Sequence, residues 1–372
     1  MPQVSIVLPT YNRADTIGRA ISSVQRQSFV DWELIIVDDG STDGTNESLV
    51  ELDRRIKYLR QENAGCYVAR NRGLEASAGD YITFLDSDDE WLEHFLQLTV
   101  GFLVQAPQEQ FVMTSFIEDF GNGRTLEHDR HEIENKFPAM ARIVGSELLK
   151  NPGKMGDPYL RVFDAREELG SWGLEIAKRA GCPDAGLYRG QIFEHLRFGH
   201  LGWLPTTVLS RKALDVIGPF AEDYRTAADY LFLGHLYKRY TANMISVPSA
   251  IKHETALDGS RLTEAHLATG INEYRYSLKR IPLFDDLFDS SNNVELKRIR
   301  GLYWFYVGQV ALKQDMRIRA KEHFLQALDH FSALHRARAL YIMCVLIPSD
   351  RLAGAVFRTF RRLFKRFSRL LG

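Results

Sequence analysis

Cysteine is scarce here: Cys66, Cys182 and Cys344 are spread across 372 residues with no Cys-x-x-Cys among them. That spacing argues against a disulfide framework and a structural zinc site, and it fits a reducing compartment. Long hydrophobic runs are also missing. The most apolar stretch, Ala339 to Ile347, is about half of what spans a bilayer, so no transmembrane helix is expected. The chain enters a β-forming run at Val4, which leaves no room for a signal peptide, and the expected location is cytoplasmic. An excess of charge of either sign is absent too. Lys+Arg number 47 against 48 Asp+Glu, a formal net charge of −1, which removes any general pull toward nucleic acid. With 45% hydrophobic and 26% charged residues, the chain can bury a substantial core and divide into more than one domain.

What is present is a set of apolar runs that stop at carboxylates. Tyr81-Ile-Thr-Phe-Leu-Asp86-Ser-Asp88-Asp89 reads as a buried parallel strand whose carboxyl end opens into an acidic crevice. Open α/β sheets bind ligands in such crevices. Two aspartates at i and i+2 offer oxygen ligands to a hard divalent cation, which can take a nucleotide diphosphate as its remaining ligands. An isolated Asp-x-Asp could equally be an acidic turn before a helix. Two further strands end in the same manner: Glu33-Leu-Ile-Ile-Val37 runs into Asp38-Asp39-Gly40, and Val4-Ser-Ile-Val-Leu8 runs into Pro9-Thr10-Tyr11-Asn12-Arg13. A planar aromatic to stack on a base, a carboxylate to accept from a ring N–H, and a metal-holding pair together describe a nucleotide site.

These stretches, with Asn63-Ala-Gly65 and Ala69-Arg-Asn-Arg-Gly73, resemble in order and spacing the nucleotide-binding half of inverting family 2 glycosyltransferases with the GT-A fold. The resemblance implies an α/β fold: a mainly parallel sheet flanked by helices, followed here by a C-terminal helical region. It implies a nucleotide-sugar site lined by Pro9, Thr10, Tyr11, Asp39, Arg70 and Ser87, with Asp39 at the base. It also implies Mn²⁺ or Mg²⁺ held by Asp86 and Asp88. For Arg70, a plain surface arginine is the competing reading.

Three regions are expected: a nucleotide-sugar-binding half over 1–115, an acceptor-side half over 116–264 with a variable insertion at about 116–202, and a helical region over 265–372. In the first region, helices are expected at about 14–27, 45–54, 66–76 and 91–106, with a closing strand at Phe111–Thr114. In the insertion, helical patterns are expected near 136–150 and 160–180. Acceptor recognition and a bland surface insertion both remain open for 116–202.

The pattern returns at Leu204 with a strand, a helix and a Gly218-Pro-Phe220 turn leading to Thr226-Ala-Ala-Asp229. The family usually places Glu-Asp at the start of the next helix, and only the second acid stands here, after Ala228. The resemblance makes Asp229 the catalytic base; an ordinary helix cap is the alternative. In single-displacement transfer one positioned carboxylate suffices to take the acceptor proton, since the metal neutralises the leaving diphosphate. The resemblance also offers His253 as a third metal ligand, against the reading of an ordinary polar histidine.

Beyond about residue 265 the pattern is helical. Gly308, Ala311, Ala320, Phe324 and Ala327 fall at the spacing of one tetratricopeptide-like hairpin. From Arg351 to Gly372 there are seven Lys/Arg and no acid, with Leu352, Val356, Phe360, Leu363, Phe364 and Phe367 at helical spacing. A basic amphipathic helix over 351–371 fits an anionic membrane surface, although a helix packed on its own protein has the same pattern. The whole reads as a metal-dependent glycosyltransferase, peripheral on the cytoplasmic membrane face. The expected donor is a UDP-sugar and the expected acceptor a glycan or lipid-linked glycan. The rivals are a non-catalytic nucleotide-sugar-binding or scaffold protein and a sugar nucleotidyltransferase. The last would carry a Gly/Arg/Lys-rich phosphate loop where Pro9-Thr-Tyr-Asn-Arg13 stands.

Overall fold

The computed structural model describes residues 2–47, 53–121, 123–144, 146, 157–199, 201–224, 227–253, 270–347 and 349–359. The chain separates into two compact units, Met1–Ala256 and Leu257–Gly372.

The strands of the first unit are β1 (Val4–Thr10), β2 (Trp32–Asp38), β3 (Ile56–Arg60), β4 (Tyr81–Phe84), β5 (Glu90–Trp91), β6 (Phe111–Thr114), β7 (Ile117–Asp119), β8 (Thr125–Glu127), β9 (Ala165–Glu168), β10 (Gly186–Gly190), β11 (Thr207–Ser210), β12 (Ala242–Ile245) and β13 (Ala250–His253). Its helices are α1 (Ile17–Gln25), α2 (Cys66–Glu75), α3 (Phe95–Gln105), α4 (His128–His131), α5 (Phe137–Val144), α6 (Ser171–Arg179), α7 (Arg211–Ile217) and α8 (Ala228–Arg239). Nine strands form one sheet in the order β3-β2-β1-β4-β11-β6-β12-β10-β9. The first four are mutually parallel, β11 runs antiparallel to both its neighbours, and β12 is parallel to β6. The sheet is therefore mixed: the parallel order inferred from alternating strands and helices holds through β4 and then breaks.

Every residue of β1 and β2 is buried. This explains why their sequences are continuous apolar runs rather than alternating ones. Each fully buried Val, Ile or Leu contributes on the order of 1.5–3 kcal/mol. Helix α2 lies close against β1: a Cβ on Gly73 would collide with the Val7 side chain. Only glycine permits that approach.

Two expected helices differ in the structure. The 160–180 segment opens on a 3₁₀ turn at Pro158–Arg161, is broken by β9, an exposed edge strand paired antiparallel with β10, and becomes α-helical from Ser171. The 136–150 segment is helical over Phe137–Val144, after a π-helical turn at Glu132–Lys136, and residues 145 and 147–150 lie outside the described residues. Most of the helix expected at 45–54 lies outside the described residues. A second, four-stranded sheet in the order β5-β13-β7-β8 stands beside the first.

The second unit is helical, with helices at Gly270–Leu287, Val294–Lys313, Arg317–His330, His335–Leu346 and 350–359. The hairpin read from sequence is the packing of Val294–Lys313 on Arg317–His330, where a Cβ on Gly308 would stand 2.6 Å from Phe324 Cε1. The pair is not alone. Its core also includes Tyr274, Ile281, Ala337 and Cys344 from the flanking helices.

Candidate active site

The register of the parallel strands decides which side chains meet. Thr10 pairs with Asp38, and Val7 pairs with Phe84, so the ends of β1, β2 and β4 reach one edge of the sheet together. Backbone bonds continue past the strands: Asp39 donates to the Thr10 carbonyl at 2.9 Å and Leu85 to the Val7 carbonyl at 3.0 Å. Thr10 and Pro9 are buried at this edge, while the Tyr11 ring is 41% exposed on its rim.

Asp39 is held by the loop after β3. Its Oδ1 accepts from Gln61 Nε2 at 2.7 Å and from the Ala64 amide at 2.9 Å, and its Oδ2 accepts from the Gly65 amide at 2.8 Å. Three of the roughly four acceptor positions of a carboxylate are thereby used. Gly40, at φ +82°, lets this loop close in; a Cβ there would stand 3.0 Å from the Asn63 amide nitrogen. An open cleft of about 570 Å³ beside it is lined by Gly40, Arg60, Gln61, Glu62 and Asn63. Asp38 turns the other way, accepting from the Ser41 amide and from the Tyr58 hydroxyl at 2.7 Å, and it organises the turn.

The acidic run after β4 is interleaved with arginines. Arg70, buried on α2, donates from Nη2 to Asp86 Oδ1 at 2.5 Å. Its guanidinium lies 5.3 Å from the Tyr67 ring centroid and 5.6 Å from that of Phe220. Arg70 is thus a buried partner of Asp86, and the plain surface reading is set aside. Burial pushes the Asp86 carboxyl above the ordinary carboxylate range; Arg70 opposes that push and Asp88 adds to it. Asp88 Oδ2 lies 3.5 Å from Arg13 Nη2, and its carbonyl accepts from Arg19. Ser87 is buried between the two aspartates.

His253 keeps other company. Its Nε2 is 3.1 Å from Glu90, its Nδ1 is 3.5 Å from Asp119, and its amide donates to Asp89 Oδ1 at 2.9 Å. The register of β13 against β7 pairs it with Asp119. Among the described residues, no group of three His, Cys, Asp or Glu side chains is arranged to hold a metal ion.

Asp229 occupies the first turn of α8, where helix N–H groups favour a carboxylate. The residue before the helix, Ala227, takes a left-handed conformation at φ 64°. The Tyr67 hydroxyl donates to Asp229 Oδ1 at 3.2 Å. Burial first, and the Asp229 charge second, hold this phenol well above its ordinary pKa, so it remains a donor.

Sequence reasoning missed three contributors. Tyr67 sits inside the Asn63–Gly73 stretch, but its partner is 162 positions away. Asn71 clasps the Gly218-Pro-Phe220 turn: Nδ2 donates to the Phe220 carbonyl at 2.9 Å and Oδ1 accepts from the Phe220 amide at 2.9 Å. Gln61 supports Asp39. The available signal for Asn71 was an asparagine, a poor helix former, in the middle of α2.

Comparison with known proteins adds three findings. The model of Glycosyl transferase family 2 matches residues 5–169. TuaG of Bacillus subtilis, provisionally named a teichuronic acid biosynthesis glycosyltransferase, is 46% identical over 197 residues, covering 48% of this chain and 73% of TuaG. WfgD of Escherichia coli, named a UDP-Glc:alpha-D-GlcNAc-diphosphoundecaprenol beta-1,3-glucosyltransferase, is 38% identical over 152 residues, 40% of this chain and 56% of WfgD. The match thus spans little more than half of WfgD. Among solved structures, S. aureus TarS 1-349 in complex with UDP-GlcNAc superposes with a TM-score of 0.57 at 16% identity, covering 96% of this chain and 92% of TarS. At that identity the likeness shows the GT-A-like fold.

Proposed function

This chain belongs to glycosyl transferase family 2, and from that premise we propose that it moves a sugar from a nucleoside-diphosphate donor, a UDP-sugar, to a hydroxyl of a lipid-linked glycan. The observation that carries the reading is the register that delivers Thr10, Tyr11, Asp39, Asp86 and Asp88 to one sheet edge. The names of WfgD and TarS support a uridine donor, and that of WfgD a lipid-linked acceptor.

In this reading Pro9, Thr10 and Tyr11 line the base pocket and Asp39 offers its remaining acceptor position to the base. Arg70 and Ser87 face the diphosphate. Asp86 and Asp88 supply hard oxygen donors at i and i+2, which fit Mn²⁺ or Mg²⁺ when the diphosphate completes the ligand set. Asp88, 3.5 Å from Arg13 where Asp86 is 2.5 Å from Arg70, is the less tightly paired of the two. A bound cation would stabilise the charge of the leaving group. His253, flanked by Glu90 and Asp119, would act at most as an outer partner.

Asp229 is the proposed base. As the acceptor oxygen attacks the anomeric carbon, its proton passes to the Asp229 carboxylate. The bond from that carbon to the diphosphate oxygen breaks, and the leaving nucleoside diphosphate takes the electron pair. The configuration inverts.

The C-terminal helix is the proposed membrane contact. In its described part, Ala353 and Phe357 are buried in the helical unit, while Leu352 and Val356 are exposed, 54% and 39%. Residues 360–372, which carry most of the basic charge, lie outside the described residues. No helix among the described residues is long and apolar enough to cross a membrane.

A donor panel of UDP-, GDP- and dTDP-sugars with Mn²⁺, Mg²⁺ or EDTA and a membrane extract as acceptor tests the proposal. The expected result is metal-dependent transfer from one UDP-sugar, lost in Asp88→Ala and in Asp229→Asn, with donor binding kept in Asp229→Asn. Binding without transfer in any condition would instead favour a non-catalytic nucleotide-sugar-binding protein.

A further inference from the structure

The Asp229 side chain has one oxygen fixed by a residue from a distant helix, and the surroundings of that residue leave it little freedom. Tyr67 is the second residue of α2 and is buried. Its ring stacks on Phe220 at 5.8 Å and 25°, and Phe220 stacks on Phe232 at 4.2 Å and 13°. Phe84, two residues before Asp86, meets Phe220 and Phe232 edge-on. The Arg70 guanidinium lies beside both rings, 5.3 Å from the Tyr67 centroid and 5.6 Å from that of Phe220. A phenol ring packed in this way keeps only the rotation of its hydroxyl. That hydroxyl donates to Asp229 Oδ1 at 3.2 Å.

We infer that Tyr67 is the positioning residue for Asp229, holding Oδ1 so that Oδ2 is turned to the acceptor hydroxyl. The inference rests on the reading of Asp229 as base. A carboxylate on a helix's first turn is otherwise free to swing about its side-chain torsions. A general base works only when its lone pair stands within hydrogen-bond reach of the proton it removes. The aromatic block ties that orientation to β4, whose end carries Asp86 and Asp88, so base and diphosphate site share one rigid support. Tyr67 has no part in transferring the proton: the phenol donates throughout, and the acceptor's proton ends on Asp229.

The test is Tyr67→Phe, which keeps the ring stack and removes only the hydroxyl, measured with full-length protein and the donor identified in the panel. The expected result is a kcat lower by about 10-fold, the rate equivalent of one hydrogen bond to a charged group. Donor KM and donor Kd should stay within about twofold, because donor binding does not use this contact. An unchanged kcat would overturn the inference. So would a fall in kcat matched by an equal loss of donor affinity, since a merely structural tyrosine would loosen both. Asp229→Asn, measured in parallel, separates the two readings. If it retains turnover, the assignment of the base fails; if it is inactive while Tyr67→Phe matches wild type, only the role of Tyr67 fails.

Discussion

Arg70 donates to Asp86 at 2.5 Å from a buried position against the rings of Tyr67 and Phe220. One helix of the first unit thus neutralises a carboxylate at the end of β4. Removing either partner strands the other. Arg70→Met should cost on the order of 3 kcal/mol in urea unfolding, less than a fully buried pair because Asp86 is partly exposed. Adding Asp86→Asn should recover part of that loss. Strictly additive losses would show that the two side chains are not coupled.

Gly73 makes a steric prediction. Because a Cβ there would meet Val7, Gly73→Ala should destabilise by about 1–3 kcal/mol despite alanine's better helix propensity. Val7→Ala in the same chain should relieve most of the cost. A Gly73→Ala protein as stable as wild type by thermal melting would mean that α2 can shift away from β1 without penalty.

His128 and Glu118 should give the first unit a pH signature. Nδ1 of His128 is 3.0 Å from Glu118. Burial alone would lower the imidazole's pKa, but Glu118, Asp129 and Glu132 together raise it above the ordinary value. Burial would likewise raise Glu118, yet His128 and Lys252 hold it down to about 2. A raised histidine contributes stability in full below its unfolded pKa of about 6.5 and loses it as pH climbs through the folded value. The stability gap between wild type and His128→Gln should therefore be larger at pH 6 than at pH 9. Asp129, pushed up to about 6 by burial, is held down in turn by the His128 charge, so its response belongs to the same coupled cluster. Equal gaps in urea midpoints at the two pH values would sink the assignment.

The basic tail should act through charge. Truncation at residue 350 is a poor probe, because it strips Ala353 and Phe357 from the helical core. Changing Arg361, Arg362, Lys365, Arg366 and Arg369 to Gln keeps Ala353 and Phe357 in the chain while removing five positive charges. Each basic residue near an anionic surface is worth about 1 kcal/mol, so sedimentation with phosphatidylglycerol-containing vesicles should drop by several orders of magnitude in partition constant. Unchanged sedimentation would assign the tail to another partner.

How much of this was legible depends on how far each residue's cause lies from it in sequence. The fully buried runs of β1 and β2 announce themselves, as does the acidic run after β4, because burial and turn chemistry act locally. β9 did not: Ala165-Arg-Glu-Glu168 is wholly exposed, has no apolar face, and is a strand only because β10 offers it backbone partners. His253 could be located but its neighbours could not, since they are set by the register of β13 against β5 and β7. Asp39 was visible as a carboxylate at a strand end. That two backbone amides and Gln61 would take up most of its acceptor capacity required the loop's folded path. The Tyr67–Asp229 contact joins two helix starts, each ordinary by itself.

The position of β11 has a consequence for how the polypeptide matures. β4 and β6 are separated in the sheet by a strand drawn from residues 207–210, and both pair with it antiparallel. Until that segment leaves the ribosome, two interior strands expose unsatisfied backbone edges, the arrangement that invites pairing with other chains. Asn71 likewise waits for Phe220 to engage its amide. A nascent chain stalled before residue 207 is thus a sheet cut through its middle, and chaperone capture in that interval is where expression of truncated versions should succeed or fail.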